Sequence, residues 1–153
     1  MTDPEWYFAE FAVGQEFTTM ARTFAESDML RFIELAGLYE EIWINANRLE
    51  ATGMYHGRLV PGYMTLTFLE GLFVLTGRMR HAVGLLGLTD LVFPNPVYCG
   101  DTVHGIIKVV DTRHTKRADR GVIRTRHFGL NQDGTEVVRY SSARVIQVAP
   151  AQD

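Results

Sequence analysis

The sequence predicts an α+β domain in which antiparallel strands cover one central helix, and three observations carry that expectation. The first is the stretch Gly57–Gly77. Pro61 and Gly62 form a sharp entry, because proline is preset for a first helical turn and its missing N–H is no loss there. From Tyr63 to Thr76 the only charge is Glu70, and apolar side chains occupy nearly every helical face. A helix over about residues 62–77 should therefore be covered on most sides by something wide, for which a curved sheet is suited. The second observation is a C-terminal run of three β segments, Asp101–Thr112, Gly121–Asn131 and Thr135–Val148, with a hairpin signal at Gln132-Asp133-Gly134. The third is the order: strand, then helices, then strands, which places the helices on one face of the sheet.

A chain of 153 residues, 46% of them hydrophobic, suits a single domain (1–153) with a sizeable core. The formal charge of −3 argues against a nucleic-acid partner, which demands a concentrated basic face. The one basic run, Arg113-His114-Thr115-Lys116-Arg117, reads as a solvated loop tip. Cys99 is the sole cysteine, so an intrachain disulfide and a thiolate metal cluster are excluded. His81, His104, His114 and His127 stand singly, without metal-ligand spacing. The central helix, at about 24 Å and interrupted by Thr and Gly, is too short to span a membrane. Met1–Trp6 shows no basic segment followed by an apolar run, so the expected location is cytoplasmic.

Element by element, Trp6, Tyr7, Phe8 and Phe11 should pack as an aromatic arm. Glu16–Phe24 suits a first strand. Glu26, Ser27 and Asp28 place negative charge where a short amphipathic helix begins, and Leu30, Phe32, Ile33 and Ala36 recur at helical spacing until Gly37. Leu38–His56 reads as a loop and a short helix, Asn45–Thr52, ending at Gly53. His81–Phe93, broken by Gly84 and Gly87, suggests a bulged strand that Pro94-Asn95-Pro96 must interrupt. Ala149–Asp153 is expected to be a frayed tail.

This order and a set of short words resemble the MaoC-like hot-dog family of acyl-thioester hydratases and dehydratases. The words are Val13-Gly14-Gln15-Glu16-Phe17, Arg22-Thr23, Asp28 with Phe32 and Gly37, Gly57-Arg58-Leu59-Val60-Pro61-Gly62, Pro96-Val97 with Gly100-Asp101-Thr102, Asp119-Arg120-Gly121, and Asn131-Gln132-Asp133-Gly134. The resemblance spans almost the whole chain. It implies a curved antiparallel sheet wrapped around one long helix, commonly paired as a double hot dog. It also implies addition or removal of water at an enoyl thioester, with acyl-CoA or an acyl-carrier thioester as ligand and no separate cofactor.

The family uses an Asp and a His after a Gly, in a word close to Gly-Asp-x-Asn-Pro-x-His, to position and activate one water. Placed after Gly37, these positions fall on Leu38 and Trp43. Leu has no polar side-chain atom and an indole N–H is a donor only, so neither residue can perform the proton transfer. Glu40-Glu41 stands where the word has Asn-Pro. What can survive is the backbone N–H at the start of the central helix, which in the family binds the thioester oxygen and here matches Gly62. A glycine needed for close packing explains the same residue.

Glu40, Glu41 and His56 are the candidates for relocated catalysis, each with the blander reading of a solvated side chain. Trp43 reads as a plug, or as an aromatic wall for a substrate or partner. Arg58 serves either a CoA phosphate or an internal carboxylate. Gly62, Trp43, Leu38, Arg58 and Tyr63 form the expected binding set. Three functions follow. The first is an accessory subunit, in a homodimer or heterodimer, beside a MaoC-like chain that carries the catalytic pair. The second is a hydratase, dehydratase or thioesterase with relocated residues, since thioesterases of the wider fold use a Glu or Asp near this helix. The third is a non-catalytic binder of an acyl thioester or small molecule.

Overall fold

The computed structural model describes residues 5–151; Met1–Pro4 and the last two residues of the expected tail lie outside the described part. After a short 3-10 turn, Phe8–Glu10, come strands β1 (Glu16–Thr18) and β2 (Arg22–Thr23) and helices α1 (Glu26–Ala36), α2 (Glu41–Ile44), α3 (Ala46–Thr52) and α4 (Gly62–Val74). Four long strands complete the chain: β3 (Ala82–Val92), β4 (Thr102–His114), β5 (Arg120–Leu130) and β6 (Glu136–Gln147). The sheet runs β1-β4-β5-β6-β3 with β2 also on β4, and every pairing is antiparallel.

α4 lies against the inner face of this sheet through Met64, Thr65, Leu69, Leu72 and Phe73, all buried. Two glycines on that face let it approach. A Cβ at Gly105 would stand 2.5 Å from Leu69 Cδ1, and one at Gly129 would stand 2.6 Å from Val138 Cγ1 and 3.3 Å from Leu69 Cδ2. The main core joins Met64 and Leu69 to Phe24, Met29, Ile33, Val103, Val138 and Tyr140. A second core at the far end of α4 gathers Phe8, Phe11, Phe17, Phe73, Ile107 and Ile123, so the aromatic arm packs as its composition predicts.

Three expectations need correction. The first strand is two short ones, because Thr19–Ala21 leaves regular pairing between them. The loop before the Asn45 helix contains an additional single turn, α2, while Asn45 does cap α3 by accepting a hydrogen bond from the Arg48 N–H at 3.1 Å. The central helix stops at Val74, three residues early, with Thr76 N–H and Gly77 N–H returning to Phe73 O and Val74 O at 3.1 Å each. The cover of that helix, though it extends over most sides, is incomplete: Tyr63, Thr67, Gly71 and Val74 form one exposed stripe that nothing among the described residues covers.

The bulged strand is present, with register shifts at Ala82/Gly84, Leu85/Gly87 and Thr89/Val92. Among the described residues β3 pairs only with β6, leaving an apolar edge on which Val83, Leu85 and Leu86 are about half exposed. The basic run forms the end of β4 and the turn to β5. Among the described residues no helix is long and apolar enough to cross a membrane.

Candidate functional site

The segment entering α4 is pinned from both sides. Val60 N–H donates to Val97 O at 2.8 Å and Cys99 N–H to Arg58 O at 2.9 Å, so Arg58–Val60 lies along Val97–Cys99. Pro61 then caps α4: its carbonyl accepts from the N–H groups of Met64 at 2.9 Å and Thr65 at 3.1 Å. The N–H groups of Gly62 and Tyr63 donate to no acceptor among the described residues, as the first turn of a helix dictates. They sit at the positive end of the α4 dipole.

Two cavities flank this turn and share Gly62, Trp43 and Phe93. One, of about 280 Å³, is lined also by Leu38, Glu40, Pro61 and Tyr63. The other, of about 320 Å³, adds Tyr55, Val60, Thr65, Pro94, Asn95, Pro96 and Val97. Glu40 is the one carboxylate among the described residues lining either cavity, and no imidazole lines them. Leu38 and Trp43 also pack against the main core, so the indole both fills space and walls the cavities.

The binding residues expected from sequence thus divide. Gly62, Tyr63, Leu38, Trp43 and Glu40 meet around one cavity. Glu41 turns to Arg48, its Oε2 3.5 Å from Nε, in a separate groove. His56 is exposed on a bend and lines neither cavity. Arg58 is engaged internally: Nη2 donates to Trp43 O at 3.0 Å, and Nε stands 3.0 Å from Glu26 Oε1 as an ion contact without hydrogen-bond alignment. It therefore ties the start of α1 to the turn carrying Trp43.

Sequence reasoning passed over Phe93. Its ring presses on the α4 entry, 3.2 Å from where a Cβ of Gly62 would stand. Close packing at Gly62 and free donors are both present. The only hint in sequence was position, an aromatic residue directly before Pro94-Asn95-Pro96.

Also passed over was a buried polar cluster beneath the middle of α4. Glu70 accepts hydrogen bonds from Tyr140 Oη and from Arg144 Nη2, while Arg144 Nη1 donates to Ser142 Oγ at 2.5 Å. Thr125 Oγ1 lies 2.8 Å from His127 Nε2 and 2.9 Å from Ser142 Oγ. His127 Nδ1 is 3.8 Å from Glu70 Oε1 and makes no hydrogen bond. Burial, then the nearby Arg144 charge, pulls the His127 imidazole down to about 3, so it is neutral at physiological pH. Burial, reinforced by the Glu70 carboxylate, pushes the Tyr140 phenol up and keeps it a hydrogen-bond donor. None of these residues lines the cavities at Gly62.

Residues 9–129 match the family described as MaoC like domain. The chain belongs to that family. This MaoC-like chain is 31% identical over 116 residues to Protein MaoC of Klebsiella aerogenes, a match covering 74% of this chain but only 34% of that relative's length. Among solved structures it resembles an R-hydratase from Pseudomonas aeruginosa in unliganded form, with a TM-score of 0.74 at 22% identity over 97% of this chain and 93% of the other. It also resembles a Mycobacterium tuberculosis protein described as having a double hotdog fold, with a TM-score of 0.84 at 21% identity over 96% of this chain and 46% of the other. The 3R-hydroxyacyl-ACP dehydratase complex HadBC of the same organism gives a TM-score of 0.68 at 15% identity, covering 87% of this chain and 96% of the other. The sheet of six strands wrapped against α4 is therefore the hot-dog fold, as the resemblance implied.

Proposed function

We propose that this MaoC-like chain is an accessory subunit that holds an acyl thioester at Gly62 and depends on a second MaoC-like subunit for the acid–base pair. The observation that carries the reading is the composition of the cavity beside Gly62. The N–H groups of Gly62 and Tyr63 stand ready for a carbonyl oxygen, yet the side chains where the resemblance places the Asp and His are Leu38 and Trp43. Hydration needs a base on water and an acid at the carbon that gains the proton, and no carboxylate–imidazole pair converges here. Glu40, lacking an imidazole beside it, supplies at most half of that machinery. The apolar edge of β3 supports pairing with another subunit, because an 11-residue strand with half-exposed Leu85 and Leu86 is a ready template for a second strand. The ligand is an acyl-CoA or acyl-carrier thioester in a reducing cytoplasm, and no further cofactor is required.

A second reading is favoured by Glu40 alone: a carboxylate within the thioester cavity is suited to activating water for hydrolysis or hydration. Glu41 and His56, set away from the cavities, fit that reading less well, and a non-catalytic binder is the third. The test is to express the tagged chain in its native host, identify what copurifies, and assay the isolated chain with trans-2-enoyl-CoA substrates while following free thiol. Copurification with a chain bearing Gly-Asp-x-Asn-Pro-x-His, with hydration only in the complex, is the expected result. Hydration or thiol release by the isolated chain, abolished in Glu40→Gln, would establish the second reading instead. Saturable binding with no partner and no turnover would leave the binder.

A further inference from the structure

The four long strands carry a row of residues across the outer face of the sheet, away from α4. Asp111 of β4 stands opposite Arg124 of β5, Arg124 opposite Ala143 of β6, and Ala143 opposite Gly87 of β3. Ile123 and Thr125, on either side of Arg124, are buried on the inner face, so strand alternation turns the row outward. Two adjoining strands thus offer only a methyl group and a hydrogen where β5 offers a long side chain. The space above Gly87 is open, since a Cβ there would meet no atom within 4 Å. A cavity of about 350 Å³ occupies this depression, and none of its lining residues borders the cavities at Gly62.

The two sides of the depression differ in charge. Arg113, the first residue of the basic run, stands opposite Val122, two positions along from the Asp111–Arg124 pair. Arg113 and Arg124 are therefore diagonal neighbours about 7–8 Å apart, within reach of each other for side chains of this length. Both line the cavity. The Arg113 guanidinium has no ion-pair or hydrogen-bond partner among the described residues, and Arg124 Nε stands 3.8 Å from Asp111 Oδ2, an ion contact beyond hydrogen-bond length. On the β3 side, two strand spacings or about 10 Å from β5, Asp90 lines the same cavity, its Oδ2 accepting from Thr89 Oγ1 at 3.1 Å. Leu86 and Val122 add apolar wall.

We infer that this outer depression binds a nucleoside monophosphate, with its phosphate on Arg113 and Arg124 and its hydroxyl or amino donors toward Asp90. The inference does not rest on the thioester reading of Gly62. Guanidinium groups hold a phosphate through paired N–H···O bonds, and two of them lie here with little or no internal partner. The Asp90 carboxylate at the far side accepts donors and repels a second negative charge, which favours a monophosphate over a longer chain of phosphates. A floor of Gly87 and Ala143 with apolar wall beside it suits a flat base better than a hydrated sugar alone.

The test is isothermal titration of the full chain with AMP, adenosine and inorganic phosphate. AMP should bind saturably and about tenfold more tightly than either of its parts. Arg113→Gln should weaken AMP about tenfold and adenosine by less than about twofold. Ala143→Leu, which raises the floor from the outer face, should weaken AMP and adenosine alike, and thermal melts of both variants establish that they fold. CoA carries a phosphorylated adenosine of the same chemistry, so AMP is titrated again in the presence of excess crotonyl-CoA. Unchanged AMP affinity is expected; its loss would assign the phosphate to the carrier of the acyl thioester and overturn a separate nucleotide site. Absence of AMP binding by the parent chain, or AMP affinity unaltered by Arg113→Gln, overturns the inference and leaves the Gly62 reading as it stands.

Discussion

The entry and the middle of one helix differ sharply in polar content. At the α4 entry this chain presents Leu38 and Trp43 to open cavities, with Glu40 the one carboxylate among the described lining residues. Two turns further on, about 12 Å along the axis, where a core helix is normally apolar, it sets the partly exposed Glu70 against buried Tyr140, Arg144 and His127. Titratable side chains are few along the cavities at Gly62 and gather instead in a cluster that those cavities do not touch. The difference teaches that titratable residues in this fold are not by themselves a sign of chemistry. A neutral His127, boxed by Phe73 at 5.0 Å and Tyr140 at 4.5 Å between ring centroids, is a packed core group. Buried charge is costly to assemble and gains little net stability over apolar replacements, so the cluster is better understood as fixing how α4 seats on β5 and β6.

The contrast can be broken first at Glu70. Glu70→Ala leaves Arg144 charged, 8% exposed and unpaired, and should cost about 3 kcal/mol in urea unfolding. Glu70→Leu with Arg144→Met should recover most of that loss, to within about 1 kcal/mol of the parent, if the pair serves seating more than stability. A double variant as unstable as the single one would contradict this. Gly129→Ala tests the seating from the sheet side. Its Cβ would stand 2.6 Å from Val138 Cγ1, and overpacking should cost about 2 kcal/mol.

His127 sharpens the comparison through pH. Its native value of about 3 lies below the ordinary 6.5, so between those limits the unfolded chain takes a proton that the folded chain refuses. The folded state therefore loses stability as pH falls through that window and gains nothing above it, with a slope of at most about 1.4 kcal/mol per pH unit. His127→Gln should flatten the curve of stability against pH between about 6 and 4 by that amount; an unchanged slope would mean the imidazole is not the group responsible. The smallest effect on stability belongs to the entry of the helix. Gly62→Ala asks Phe93 to yield by a few tenths of an ångström, should cost under about 1 kcal/mol, and should nonetheless weaken binding of an acyl-CoA.

Much of the architecture was legible because it rests on local chemistry. Pro61-Gly62 marked the start of α4, Gly37 and Gly53 the ends of α1 and α3, and Gly84 with Gly87 the bulges of β3. The end of α4 was misread because Leu75, Thr76 and Gly77 continue the uncharged run without continuing the helix. The site was half legible. Short words located Gly62, Leu38 and Trp43 near one another, whereas Phe93 reaches Gly62 through the return of β3, a pairing that sequence separation hides. The Glu70 cluster left a trace that went unread. Thr125 and His127, like Tyr140, Ser142 and Arg144, alternate in step with the inward residues Ile123 and Ile146. One charge on an otherwise apolar helix demanded partners of that kind.

The most direct test of the central claim is to incubate the isolated chain, in excess over crotonyl-CoA, and to measure both the bound fraction and the chemical fate of the thioester by chromatography and mass spectrometry. An accessory acyl-binding subunit predicts saturable binding with crotonyl-CoA recovered intact, and its conversion to 3-hydroxybutyryl-CoA only when a subunit with the Asp and His is added. Formation of 3-hydroxybutyryl-CoA or free CoA by the isolated chain would contradict it.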